Sequence, residues 1–346
     1  MKRRNQTLLK TFHNKIYCRV LLALLLTFFV PSQVFAQEQI PSEAPSNPYP
    51  SDSAQAWLAK MSNAVKSLNY TISFILLKPG VDSQPYLWRH GVNEDGIEME
   101  QLNLLNGPGR EVVRIGDKVS YFEPNVPPYS LQSSIINGPF PSEFFQFPEK
   151  IILGYEFILV GRSRIAGRAA QQIRIISKDN SRFGLNVWLD QETGLLLKMN
   201  MFGQEAQLLE QIQVTGLQVT KEPDPFFAKI EPGMLPEVVN FRPSEPLNSP
   251  WKIGYIPKGM TILKRDQRRL SVSGEVVEYI MLSDGLVDVS VYLQVRENNK
   301  PQENLVGTVQ SDTLLTIEHG ELNITVIGKI PAATANAMAK SIKRIN

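Results

Sequence analysis

The stretch Gly161-Arg-Ser-Arg-Ile-Ala-Gly-Arg-Ala-Ala-Gln-Gln-Ile-Arg-Ile-Ile-Ser-Lys-Asp179, resumed at Phe183-Gly-Leu-Asn-Val-Trp-Leu-Asp-Gln-Glu-Thr-Gly194, reads as three strands joined by tight turns. Gly194 suits a position of positive φ closing the Asp190–Thr193 turn, because glycine has no Cβ to clash there. The pattern extends on both sides as a meander: Phe157–Arg164, Ala170–Ser177, Arg182–Leu189, Leu195–Phe202 and Leu209–Val219. Leu195, Leu197, Met199 and Met201 alternate with Leu196, Lys198, Asn200 and Phe202, which gives one apolar face and one mixed face.

Upstream, Trp57, Met61, Val65 and Leu68 recur at spacings of four and three, the mark of an amphipathic helix, with Ser51, Asp52 and Ser53 as N-cap candidates. The period then changes to two. Thr71–Leu77, Pro85–His90, Ile97–Leu104, Arg110–Ile115 and Lys118–Phe122 read as strands, with Gly116-Asp117 a tight turn between the last pair. So many strands with so few helices define a mainly β, α+β chain. Its core is a large curved antiparallel sheet, a half-barrel or full barrel whose hollow is filled by packed helices or by a ligand.

Glu123–Tyr155 breaks the pattern with Pro124, Pro127, Pro128, Pro139, Pro141 and Pro148 among Phe140, Phe144, Phe145 and Phe147. Proline donates no ladder hydrogen bond, so no central strand fits; a loop with a short helix near Ser142–Leu153 is expected. Its aromatics either complete the core or line the mouth of an apolar groove. A second proline cluster, Pro232 to Pro250, marks a linker over 232–250. The large β domain is therefore placed at 51–231 and a smaller α+β domain at 251–346. In the latter, Val277–Leu282, Val287–Val295, Val306–Val309, Thr313–Glu318 and Leu322–Ile327 are strand candidates. A helix begins at Pro331, with Ala332, Ala335, Met338, Ala339 and Ile342 along one face.

Residues 1–36 carry Lys2, Arg3, Arg4, Lys10, Lys15 and Arg19 before an apolar run, Val20–Val30. That run is short for a bilayer span, and Val34-Phe35-Ala36 supplies small residues at signal-cleavage spacing. A cleavable signal for export to the periplasm is the expectation, with an uncleaved anchor as the alternative and 37–50 as a flexible leader. The single cysteine, Cys18, lies in the signal, so a processed chain has no disulfide, thiol nucleophile or thiolate metal site. Processing leaves 30 Lys and Arg against 34 Asp and Glu, turning a net charge of +2 into −4. With no basic stripe, nothing points to nucleic acid.

Chemistry is sparse. His90 and His319 lie in different domains and fit no metal-ligand spacing. No Gly-x-Ser-x-Gly elbow is present, and Gly161–Gly167 lacks a phosphate loop's spacing and its Lys-Ser/Thr ending. Asp190 and Glu192 pair in a turn, where solvated charge is the ordinary role. No catalytic residue, metal or cofactor is expected. A hydrolase stands behind two other classes, a regulatory binding module and a lipid or lipoprotein carrier.

Several stretches resemble the MucB/RseB family of sigma-factor regulators. They are Tyr70-Thr-Ile-Ser-Phe74, Gly107-Pro-Gly-Arg-Glu-Val-Val113, Val119-Ser-Tyr-Phe-Glu-Pro124, Tyr155–Arg168 and Val187–Gly194, followed by Trp251–Met260, Ser283-Asp-Gly-Leu286 and Ile324–Pro331. The resemblance runs the length of the processed chain in one order. It implies a large domain similar to the carriers LolA and LolB. It also implies a periplasmic negative regulator of the envelope stress response, which binds the periplasmic part of the anti-sigma factor RseA and protects it from the protease DegS. Lipopolysaccharide or another amphipathic ligand would relieve the inhibition. On that reading the groove candidates are Phe74, Trp88, Leu102, Val112, Tyr121, Phe145 and Trp188, although a slip of one residue in register would invert the face. The partner-binding candidates are Trp251, Tyr255, Arg268 and Arg269, aromatic and Arg side chains being favoured interface anchors. Assembly as a homo-oligomer stays open on sequence alone.

Overall fold

A computed structural model describes residues 49–239, 248–269, 274–296, 304–309 and 311–345. The signal expected over 1–36 and nearly all of the leader lie outside the described residues, as does 240–247 of the expected linker.

Ser53 opens helix α1 (Ala54–Ser67), its hydroxyl accepting a hydrogen bond from the Ala56 backbone N–H. The first sheet comprises β1 (Asn69–Leu77), β2 (Gln84–Val92), β3 (Glu98–Leu104), β4 (Arg110–Ile115), β5 (Lys118–Glu123), β6 (Val126–Gln132), β7 (Tyr155–Ile165), β8 (Arg168–Ser177), β9 (Gly184–Asp190), β10 (Leu196–Phe202) and β11 (Leu208–Thr220). All its pairings are antiparallel. The order is β6-β5-β4-β3-β2-β1-β11-β10-β9-β8-β7, so among the described residues β6 and β7 are the end strands and the sheet is open rather than a closed barrel. The proline-rich stretch holds a strand after all, β6, and it is an edge strand as Pro127 and Pro128 require. The helix expected from Ser142 to Leu153 divides into α2 (Ser142–Gln146) and a 3-10 turn, Pro148–Ile151, the break falling where Pro148 lacks an N–H to donate.

Register aligns one apolar row across each half of this sheet. Ile72, Trp88, Leu102, Val112, Tyr121 and Tyr129 stand opposite one another in succession. So do Leu76, Ile212, Met199, Val187, Ile173 and Leu159. Helices α1 and α2 fill that face: Met61, Phe144 and Phe145 are at most 1% exposed within the same core.

The second sheet has the order β13-β14-β15-β18-β17-β16. Its strands are β13 (Thr261–Arg269), β14 (Val276–Ser283), β15 (Asp288–Val295), β16 (Leu305–Val309), β17 (Asp312–His319) and β18 (Leu322–Gly328). Helix α3 (Ala332–Lys340) packs against β17 and β18, placing Ala335, Met338 and Ala339 in one core with Leu315, Ile324 and Val326. Strand β12 (Trp251–Ile253) pairs with β19 (Ile342–Arg344) and closes this second core.

Candidate functional site

Six of the seven groove candidates share one core. Trp88, Leu102, Val112 and Tyr121 form most of the first row, and Phe74 lies on the same face. Phe145 comes down from α2 to 5.8 Å from Phe140, which in turn lies 4.4 Å from Trp88 by ring centroids. These residues are buried beneath the chain's own helices and the loop that carries Ile136 and Phe140, with a cavity of about 290 Å³ left beside Leu102 and Val112. Trp188 is only partly buried and packs against this core from outside the row. Val187 and Leu189 on either side of it have zero exposure, and strand alternation sends Trp188 to the opposite face. There Lys198 Nζ stands 5.2 Å from its ring centre.

Among the partner-binding candidates, Trp251 is core, 9% exposed, because the β12–β19 pairing carries it under the second sheet. Tyr255 is exposed. Arg268 and Arg269 project from the exposed edge strand β13, Arg268 over the Tyr279 ring at 3.5 Å and Arg269 donating to the Gly274 carbonyl at 2.6 Å.

The Asp190–Glu192 pair also differs from expectation. Asp190 is 1% exposed; it takes a two-pronged bond from Arg168 at 2.8 and 2.9 Å and caps the Thr193 backbone N–H. Only Glu192 is solvated. His90 is held between the Leu68 carbonyl, 2.7 Å from Nδ1, and the stacked Tyr70 ring. Its Nε2, 3.8 Å from Glu98, acts with the Arg114 guanidinium to hold the Glu98 carboxyl down to about 2, against burial, which raises it.

The densest polar chemistry joins the two sheets at two places. At the first, the side chains of Arg182 and Asp284 are 0% and 1% exposed, with Nε 3.4 Å from Oδ2. The Tyr155 hydroxyl donates to the same Oδ2 at 2.9 Å, and the Arg182 guanidinium lies 4.7 Å from the Tyr155 ring centre. Arg182 Nη2 donates to the carbonyls of Gly154 and Lys258. Asp284 Oδ1 meanwhile accepts the N–H groups of Leu286 and Val287, tying off the Ser283–Leu286 turn. Burial pushes the Tyr155 phenol well up, and the Asp284 charge adds to it. Asp179 accepts the Lys258 backbone N–H at 2.8 Å. Burial raises the Asp179 carboxyl, but bonds from Ser177, Ser181 and Lys258 outweigh it and hold it below its ordinary value. Gly259, at φ +84°, lets the two backbone segments approach closely: a Cβ there would stand 2.8 Å from the Gly154 nitrogen.

At the second place Glu210, 2% exposed, projects from β11. Its carboxylate accepts Lys329 Nζ at 2.9 and 3.1 Å and the Ser311 hydroxyl at 2.9 Å, with Lys78 Nζ at 3.6 Å. Beside it lies a cavity of about 420 Å³. Leu185, Met199 and Met201 line it from the first sheet and Phe140 from the loop before α2, with Leu286 and Lys329 from turns at the end of the second sheet. That volume is typical of small-ligand pockets, which run from about 300 to 1,000 Å³.

None of these junction residues stands out as functional in the sequence. One signal was present: Glu210 shares the in-facing alternation of Ile212 and Val214, where an acid is out of place unless paired. Arg182 and Asp284 carried no comparable mark, because their pairing is wholly between sheets.

The molecule is thus an antiparallel β protein with two large sheets, whose buried charges join those sheets to each other. Family models for the MucB/RseB N-terminal domain and the MucB/RseB C-terminal domain match residues 53–239 and 245–343. The chain belongs to the MucB/RseB family. It is 31% identical over 290 residues to the sigma-E factor regulatory protein RseB of Escherichia coli K12, covering 83% of this chain and 90% of that protein. With the sigma factor AlgU regulatory protein MucB of Pseudomonas aeruginosa it shares 28% over 294 residues, covering 84% and 90%. The solved Pseudomonas aeruginosa MucA/MucB complex contains a chain that matches with a TM-score of 0.69 at 24% identity, over 85% of this chain and 99% of that one. A second structure, MucB in complex with MucA(peri), gives 0.68 at 24%, over 85% and 100%.

Proposed function

We propose that this chain is a binding protein without catalytic activity that represses an envelope stress response. It would be exported to the periplasm by residues 1–36 and built from domains at 51–231 and 251–346. Its partner is the periplasmic part of a membrane-spanning anti-sigma factor of the RseA/MucA kind, which it shields from the protease DegS. The observation that carries this reading is the junction itself: a cavity of about 420 Å³ walled by both sheets, with buried charge at its rim. The naming of relatives as sigma-factor regulators, and a MucB solved with MucA(peri), supply the partner class.

The anti-sigma segment docks across the second sheet and this junction, with exposed Tyr255, Arg268 and Arg269 as anchors. Ordering the segment hides its cleavage region, at the entropic cost of coupled folding and binding. An amphipathic ligand such as lipopolysaccharide relieves repression by placing an acyl chain in the junction cavity. Each methylene buried there contributes about 0.8 kcal/mol. The coupling is reciprocal, so peptide weakens lipid binding by the factor that lipid weakens peptide. The carrier reading is weaker, because Phe140, Phe144 and Phe145 already occupy part of the hollow a cargo would need.

Calorimetric titration of the processed chain with the periplasmic anti-sigma segment, with and without lipopolysaccharide, tests this. Saturable peptide binding that weakens on adding lipid is expected. Stoichiometric lipid uptake with no peptide binding would establish the carrier instead.

A further inference from the structure

The two free edges of the large sheet are finished differently. At β6, Pro127 and Pro128 remove two backbone donors. The following chain covers the rest: Val238 bridges to Ser130, the Val239 N–H donates to the Ser130 carbonyl at 2.8 Å, and Lys118 Nζ reaches the Leu235 carbonyl. Strand β7 at the opposite edge has no proline, and no described strand pairs with its outer side. Every residue from Ile158 to Arg164 is exposed, and Ile158, Leu159 and Val160 are 37, 37 and 46% exposed. Unpaired N–H and C=O groups beside exposed apolar side chains are a template for another strand.

Three features define what fits there. A cleft of about 220 Å³ opens at the β7 edge between α1 and the Pro148–Ile151 turn, lined by Leu58, Ala59, Pro148, Ile152 and Phe157, with Lys66 at its side. It offers an apolar seat at the Phe157 end. The next part of the strand carries Arg162 and Arg164, both exposed. Between them the register shifts at Leu159/Gly161, a bulge that twists the edge. A rigid strand of a folded protein, or a second copy of β7 with its own bulge, fits such a twist poorly; a flexible segment follows it. The geometry points to β7 as a docking edge for an extended polypeptide segment of another protein, added as a twelfth strand. Its apolar residues alternate opposite Phe157–Val160, and its acidic residues meet Arg162 and Arg164. Main-chain hydrogen bonds supply affinity, while the cleft and the arginines supply sequence preference. This edge lies outside the junction residues and does not depend on the function proposed for them.

The test uses fluorescence anisotropy with a labelled ten-residue peptide in which Val and Ile alternate with Thr, closed by two glutamates. Saturable binding to the whole protein is expected, with β7 amides gaining protection from hydrogen exchange. Methylating alternate peptide amides, or substituting Leu159→Lys, should weaken binding by about tenfold or more, since each removes part of the added strand. Arg162→Glu with Arg164→Glu changes only exposed charges; it should weaken the acidic peptide and spare one ending in glutamines. Undiminished binding of the methylated peptide would overturn the proposal. So would a complete lack of peptide binding, or concentration-dependent dimers abolished by Leu159→Lys and unaffected by peptide, which would mean that the edge serves a second copy.

Discussion

The two contacts between the sheets use the same chemistry in opposite settings. Around Arg182 and Asp284 the junction is dry, both side chains are almost wholly buried, and glycine backbones touch. Around Glu210 the carboxylate is equally buried, but Lys329 is 29% exposed and a cavity adjoins it. A buried ion pair with no exit punishes the loss of either partner, because the survivor is left charged in a low-dielectric site. A pair beside a cavity can trade a partner for water or for a ligand headgroup. One contact is therefore closed on all sides, and the other borders a cavity and solvent.

Breaking the dry contact should have the largest effect. Arg182→Met strands Asp284 and removes two carbonyl partners, and is expected to cost about 3–5 kcal/mol in urea unfolding. If Arg182→Met with Asp284→Leu recovers most of that loss, the pair is there for specificity of docking rather than stability. Next, Gly259→Ala forces a side chain into a left-handed position against the Gly154 nitrogen. About 1–3 kcal/mol is expected, with Gly80→Ala as a control: its φ is also positive, and its Cβ would meet nothing. At the open contact, Glu210→Gln should cost no more than about 1–2 kcal/mol, since Lys329 reaches water. Its distinguishing result is a change in ligand or peptide affinity at the junction larger than that of Arg182→Met at equal folded fraction.

Acid should separate the contacts too. Asp179 titrates below its ordinary value of 3.8 when folded, so its contribution is complete above that pH and is lost as pH falls through the folded value. Glu98 behaves alike within the first sheet, its contribution fading between 4.5 and about 2. Asp179→Asn should remove the acid-sensitive part of Lys258 docking and leave the step set by Glu98, read by unfolding across that range. The smallest effect belongs to Glu192→Ala. Glu192 is 81% exposed, and its bond to Arg168 should contribute less than about 0.5 kcal/mol, in contrast to Asp190 two residues away.

Strand alternation made most of the first sheet legible in advance: Arg110–Ile115 is the observed β4, and most of the other forecast strands differ by a residue or two at their ends. The misses share a cause. Strand β13, Thr-Ile-Leu-Lys-Arg-Asp-Gln-Arg-Arg, is an exposed edge that needs no buried face, so it carries no apolar period. Strand β6 was hidden by prolines that an edge tolerates. Phe74, Trp88, Leu102, Val112, Tyr121 and Phe145 are buried together in the core, while Trp188 is only partly buried, because two-residue periodicity fixes which residues share a face but not which face is the core.

The order of amino acids determined the elements, the alternation that makes one side of each strand apolar, and a chain without catalytic motifs. The tertiary structure decided the rest: the sheet stays open, its own helices and the loop carrying Phe140 pack into the hollow, and Arg182–Asp284 and Glu210–Lys329 meet. Those pairs join residues more than a hundred positions apart, and although the alternation around Glu210 marks it as needing a partner, no local pattern says which residue that partner is.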